Sequence, residues 1–236
     1  MNWSSLFQFA PSELVAIHLS LKVAAWAVMT SLPLGVLAAM ALARGRFWGR
    51  EILNVCVHLP LVLPPVVTGY VLLLLFGRNG PLGRLLAETT GFVLAFRWTG
   101  AALASAVMAF PLMVRAIRLS IEAVDRGLED AAGTLGAGPV WVFLTVTLPL
   151  ILPGVIAGAI LAFARSLGEF GATITFVSNI PGETQTLPTA IYTFTQVPGG
   201  DAGALRLTLV SVLISCVALF LSDFVARRVA RRVAGR

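Results

Sequence analysis

From Ile52 to Phe76 the chain reads ILNVCVHLPLVLPPVVTGYVLLLLF, twenty-five residues without a single Asp, Glu, Lys or Arg. About 18 or more uncharged, apolar residues in a row are enough to cross the hydrocarbon core of a bilayer as a helix. Three prolines, Pro60, Pro64 and Pro65, interrupt this one. Proline has no backbone N–H and its ring collides with the preceding turn, so the helix must bend or break there. Carbonyls freed by a break need partners, which lipid cannot supply. The stretch is therefore expected to be buried in protein or to line a cavity.

The rest of the chain has the same character. Of 236 residues, 58% are hydrophobic and only 12% charged, and the mean hydropathy is +0.90. Soluble domains carry about 25% charged residues. The reading is an all-α integral membrane protein with about five transmembrane helices, forming one transmembrane domain over residues 1–236. The spans are expected near 14–42, 52–76, 98–114, 140–177 and 205–225. Lys22 and Pro33 interrupt the first, and Pro149 and Pro153 lie early in the fourth. A polar loop covers 77–97 and the longest polar stretch covers 115–139. Residues 187–197 are apolar but too short to cross, which suggests a re-entrant or surface helix on the outer side.

Basic residues give the orientation, because cytoplasmic loops are rich in Lys and Arg. Arg44, Arg46, Arg50, Arg115, Arg118, Arg126, Arg227, Arg228, Arg231, Arg232 and Arg236 fall on one side. Arg78, Arg84 and Arg97 fall on the other, with Arg206 at a boundary. The first side is expected to be cytoplasmic, with the N-terminus outside and the C-terminus inside, as an odd number of spans requires. Clustering beside apolar segments, rather than nucleic-acid binding, accounts for the net charge of +6. Cys56 and Cys216 sit inside apolar runs, and no Cys/His spacing points to a metal. Residues Met1 to Ser12 lack Lys and Arg and so do not read as a cleaved signal peptide. Trp3, Trp26, Trp48, Trp98 and Trp141 fall mostly at span ends, where interface anchors sit.

Between the third and fourth spans the chain reads Asp130-Ala131-Ala132-Gly133-Thr134-Leu135-Gly136, and nine residues later Val146-Thr147-Leu148-Pro149. Small residues at Ala131 and Ala132 allow another backbone to approach, and Gly136 permits a sharp reversal that a Cβ would resist. Good helix formers from Glu122 to Leu135 predict a short helix outside the membrane, ended by Gly136 and Gly138-Pro139. This pattern resembles the EAA signature of ABC importer permeases, with Asp130 at the acidic position and Glu129 just before it. Further segments carry the likeness over nearly the whole chain: His58 to Val67, Phe110 to Arg118, Arg165 to Thr173 and Ser178 to Thr184. They are similar to the molybdate group of these permeases and its sulfate, thiosulfate and tungstate relatives.

The resemblance implies a type I ABC importer permease-like fold in the bacterial cytoplasmic (inner) membrane. It also implies a homodimer of permease subunits, two cytoplasmic ATPase subunits and an extracytoplasmic oxyanion-binding protein. The residues expected to couple to the ATPase are Glu129, Asp130, Ala131, Ala132, Gly136, Leu148 and Pro149. The chain shows no phosphate-binding loop, so ATP and Mg are expected on the partner ATPase and no cofactor on this chain. The implied substrate is molybdate, with sulfate, thiosulfate or tungstate as alternatives. A membrane-embedded enzyme, the reading from another class, would need several convergent ionisable groups at depth.

Only Arg165 and Glu169 offer such groups, and their spacing of four places them on one helix face. Charges at membrane depth are functional candidates, so both are expected on the translocation path or the dimer interior. A structural ion pair is the alternative. Pro60, Pro64, Pro65, Thr68 and Tyr70 are the other path candidates, since a broken helix exposes carbonyls and the last two add hydroxyls. Gly168 and Gly171 allow either close helix contact or a local break. Lys22 reads as a side chain reaching the headgroups, and His18 and His58 as packed residues. The sequence Leu59 to Pro64 echoes Leu148 to Pro153, which suggests either a structural repeat or coincidence.

Overall fold

The computed structural model describes residues 9–233, so Trp3 and Arg236 lie outside the described residues. Every regular element among the described residues is helical. Helix α1 spans Pro11–Arg44, with proline in its first turn and Pro33 within it. Its 34 residues make about 51 Å of helix, against a hydrocarbon core of about 30 Å. It therefore tilts, bends or projects beyond the bilayer.

The proline-interrupted stretch from Ile52 to Phe76 falls in two helices, α2 at Arg50–Val62 and α3 at Pro65–Phe76. They meet at Leu63-Pro64 with a bend of 116°. Pro60 is tolerated inside α2, whereas the paired Pro64 and Pro65 end one helix and start the next. Arg50 donates to the Leu42 carbonyl at the arginine-rich end of the bundle, while Leu72 packs with Leu19, Ala101 and Phe176 towards the other. The broken pair thus joins the two ends. Among the described residues four helices are long and apolar enough to cross a membrane alone, and the pair makes a fifth crossing if counted as one.

Helix α4, Pro81–Thr90, occupies part of the loop expected at 77–97. Its signals are local: Pro81 at the first position and Gly91, with φ of 71°, just past the end. Helix α5 spans Trp98–Glu122 and continues eight residues past the end expected at Val114. Val114, Ile117 and Ile121 repeat at helical spacing and are fully buried, so an apolar face carries the helix through Arg115 and Arg118. Arg118 also pairs with Glu122 at 2.7 Å. The polar stretch therefore begins at Ala123 rather than Arg115.

Next come α6 at Arg126–Thr134, α7 at Pro139–Val142, a π-helical turn at Phe143–Thr147 and α8 at Leu148–Leu167. The span expected at 140–177 is broken, because Gly168 to Phe170 interrupt it before α9, Gly171–Val177. Helix α10 is Leu187–Thr195 and α11 is Asp201–Val233. The echo of Leu59 to Pro64 in Leu148 to Pro153 has no structural counterpart: the first copy ends at a break, the second starts a continuous helix.

Helix α5 is the axis. It contributes to one core cluster with Leu42, Met113, Ile117 and Ile151, and to a second with Leu19, Val23, Leu72 and Phe176. Two thirds of its most apolar window is buried (67%), against 11% for α11, which therefore lies at the periphery. Gly100, Ala101, Ala104, Ser105 and Ala109 keep its buried side small, which permits close approach of neighbouring helices where no hydrophobic effect drives them together.

Candidate functional site

Helix α6 is built from strong local signals. The Asp125 carboxylate accepts from the Gly127 N–H at 2.9 Å and caps the start. At the far end Ala137 N–H donates to the Ala132 carbonyl and Gly136 N–H to that of Gly133, at 3.2 and 3.0 Å. This is a Schellman closure, and it needs Gly136 in the left-handed region, where φ is 88°. No atom lies within 4 Å of where a Gly136 Cβ would be, so the requirement is conformational, not steric. Just before the turn Leu135 projects, 89% exposed, with half-exposed Leu128 on the same helix.

The acid that holds α6 to the body is Glu129. Its carboxylate lies 3.4 Å from the Arg44 guanidinium and accepts from the Thr147 hydroxyl at 2.8 Å. Asp130 is exposed, as is Ala131, while Ala132 is half-buried. Leu148 and Pro149 stand at the start of α8, directly after the π turn, where the Leu148 N–H reaches back to the Phe143 carbonyl. Pro149 has no N–H to give to the next carbonyl, which favours the widened turn. The two parts of the motif, 18 positions apart, therefore meet through the Thr147–Glu129 bond. A cavity of about 740 Å³ lies beside them, lined by Arg44, Arg126, Glu129, Asp130, Thr134 and Thr147.

The second group of candidates surrounds the two helix breaks. Helices α3 and α9 pack so closely that a Cβ on Gly69 would stand 2.5 Å from the Ala172 carbonyl oxygen. One on Gly171 would stand 2.8 Å from Cβ of Pro65. Thr68 is buried on this contact side with its hydroxyl unpaired, while Pro64, Pro65 and Tyr70 are exposed. Pro60 lines a separate apolar cleft of about 490 Å³ with Thr30, Ser31, Cys56 and Phe110. The five residues thus do not share one surface.

Arg165 and Glu169 do meet, at 2.7 Å. Glu169 is buried and also accepts from the Ala172 N–H at 2.8 Å, so it closes the gap between α8 and α9. Arg165 is partly exposed. Both sequence readings of Gly168 and Gly171 apply: a break falls at the first and a close contact at the second. Lys22 rests 3.7 Å above the Trp98 ring, and His58 Nδ1 lies 2.8 Å from the Asn54 carbonyl oxygen. Among the described residues no three His, Cys, Asp or Glu side chains are placed to hold a metal ion.

Two long-range polar links have no local signal in the sequence. Arg206 pairs with Glu13 at the end of the bundle opposite Arg44, and Arg44 itself ties α1 to α6. A lone acid in the first turn of α1 and an arginine at a span boundary were visible, but nothing local says that they pair.

A family model described as "binding-protein-dependent transport system inner membrane component" matches residues 31–233. The chain is 58% identical over 224 residues to the molybdenum transport system permease protein ModB of Escherichia coli K12, covering 95% of this chain and 97% of that one. It is 54% identical over 221 residues to the protein of the same name from Haemophilus influenzae, covering 94% and 96%. In fold it resembles a chain from a bacterial ABC transporter involved in the import of the acidic polysaccharide alginate. That match has a TM-score of 0.75 at 17% identity, over 97% of this chain and 84% of the other. The chain belongs to the family of binding-protein-dependent transport system inner membrane components.

Proposed function

We propose that this chain is the membrane-spanning permease subunit of an ATP-driven importer for molybdate in the bacterial inner membrane. The observation that carries the reading is the 58% identity, over 95% of the chain, to a protein named as a molybdenum transport system permease. The chain is a transport subunit rather than an enzyme, and ATP is hydrolysed on a separate partner.

Two copies form the pathway, two ATPase subunits grip them from the cytoplasm, and an oxyanion-binding protein delivers substrate outside. Helix α6, with Leu135 at its tip, lies on the cytoplasmic side and enters the ATPase. The oxyanion passes beside the broken helices, along the exposed side of Pro64, Pro65 and Tyr70. Arg165 supplies positive charge there, moderated by Glu169. A path should attract its ion without trapping it, and the pairing supports that balance.

The test is ATP-dependent uptake into vesicles containing the permease, the ATPase and the binding protein, with molybdate, tungstate and sulfate compared. Accumulation of molybdate in preference to sulfate is expected. Accumulation of sulfate alone would overturn the substrate, and accumulation of none would overturn the reading.

A further inference from the structure

We propose that Glu129 and Thr147 are positioning residues that carry the motion of α6 into α8 through the π turn. The proposal rests on the reading of α6 as the helix gripped by the ATPase.

Helix α6 has no buried residue of its own, so apolar packing does not hold it to the bundle. Its firm attachment is polar. One oxygen of Glu129 faces Arg44 at 3.4 Å and the other accepts from Thr147 at 2.8 Å. Arg44 also donates to the Val124 carbonyl, just past the end of α5, at 3.0 Å. A single carboxylate therefore ties α6 to the ends of α1 and α5 on one side and to the π turn on the other. Thr147 is buried, 2% exposed, so water does not compete for its hydroxyl.

The π turn is the compliant point of α7–α8. It holds one residue more than an α turn, so its conversion to α-helix turns and shifts the flanking segments by about one residue, ~100° and ~1.5 Å. Beyond it α8 runs without interruption to Arg165 and the break before α9. Along the way it lies against α5 so closely that a Cβ on Gly154 would collide with Ser120. A pull on Thr147 is thus delivered to a joint, then along a stiff, well-packed rod to the ion pair at the second break. The cavity of about 740 Å³ beside Glu129 leaves α6 room to move.

The experiment uses the reconstituted complex with its ATPase and binding protein. It reads three quantities: ATPase retained on the permease, ATP hydrolysed when loaded binding protein is added, and molybdate imported per ATP. Thr147→Val keeps the shape and deletes the hydroxyl, which leaves Glu129 short of a buried partner. It should retain the ATPase yet lower molybdate per ATP about tenfold, the effect of losing one hydrogen bond to a charged group, and Thr147→Ser should restore it. Glu129→Asp keeps the charge but shortens the reach, and should uncouple in the same way even if Thr147→Val fails to fold. Wild-type molybdate per ATP in both Thr147→Val and Glu129→Asp would overturn the proposal. So would loss of the ATPase from a folded Thr147→Val complex, because the pair would then serve docking. Failure of the wild-type permease to retain the ATPase would instead overturn the underlying reading.

Discussion

Arg206 closes on Glu13 at 2.7 Å across 193 positions of sequence. The pair ties the start of α11 to the start of α1. Glu13 is fully buried, and its second oxygen accepts from the Ala10 N–H at 2.8 Å. Gly203 leaves the space this carboxylate occupies, since a Cβ there would stand 3.1 Å from it. First and last helices are thereby locked at the end of the bundle opposite α6.

Removing one member of such a pair strands the other. Glu13→Ala is expected to cost about 3–5 kcal/mol. For a chain of this length that lowers the melting temperature by about 10 °C. The double change Glu13→Met with Arg206→Met should recover much of the loss, because buried pairs are often replaceable by apolar groups of similar size. Thermal unfolding in detergent or nanodiscs reads both.

At the turn after α6 the expected order is set by backbone conformation alone. With φ at 88° and open space around the position, Gly136→Asn should be tolerated better than Gly136→Ala, and Gly136→Val least. A residue with Cβ costs about 1–2 kcal/mol there, less for Asn. Retention of the ATPase by the purified permease should follow that order.

The contact between α3 and α9 is limited by backbone. Gly69→Ala would place Cβ 2.5 Å from the Ala172 carbonyl oxygen, and no side-chain rotation relieves that. The two half-helices must separate, at about 1–3 kcal/mol for the forced shift. Reduced uptake and a lower melting temperature are expected. The same change at Gly133, which has open space around it, should leave the melting temperature unaltered or raised, since Ala favours the helix.

At the α8–α9 break the two charges are not equivalent. Glu169→Gln keeps an oxygen for the Ala172 N–H and for the guanidinium of Arg165, which is 29% exposed rather than buried. Arg165→Ala leaves a buried carboxylate with its partner gone. The second change should destabilise by about 3 kcal/mol or more and the first by clearly less, as thermal unfolding would read.

Much of this arrangement was legible in local pattern. Uncharged runs marked most of the membrane helices, the prolines before Val66 marked the break between α2 and α3, and Gly136 marked the turn after α6, because each depends on residues a few positions apart. The Pro81–Gly91 signature of α4 is equally local, but the helix lies in a stretch whose polar, glycine-rich composition reads as a loop. The extension of α5 through Ile117 and Ile121 was masked by Arg115 and Arg118, whose charges suggested a loop although the opposite face is apolar. The polar links were not legible. Glu129 with Thr147, Arg44 with Val124 and Glu13 with Arg206 join distant parts of the chain, and nothing in the neighbours of one names the other. The spacing of the motif places Asp130 at its acidic position, and it says nothing of the contacts that its neighbour Glu129 makes with Thr147 and Arg44.

The proposed import mechanism requires α6 to face the cytoplasm within reach of an ATPase. Its most direct measurement is labelling of Leu135→Cys, with Cys56 and Cys216 replaced, by a maleimide that does not cross membranes. Leu135 is 89% exposed, so the thiol will react wherever the reagent reaches it. The import mechanism requires labelling in inside-out vesicles, protection when the ATPase is added, and none in intact spheroplasts. Labelling in intact spheroplasts would contradict it.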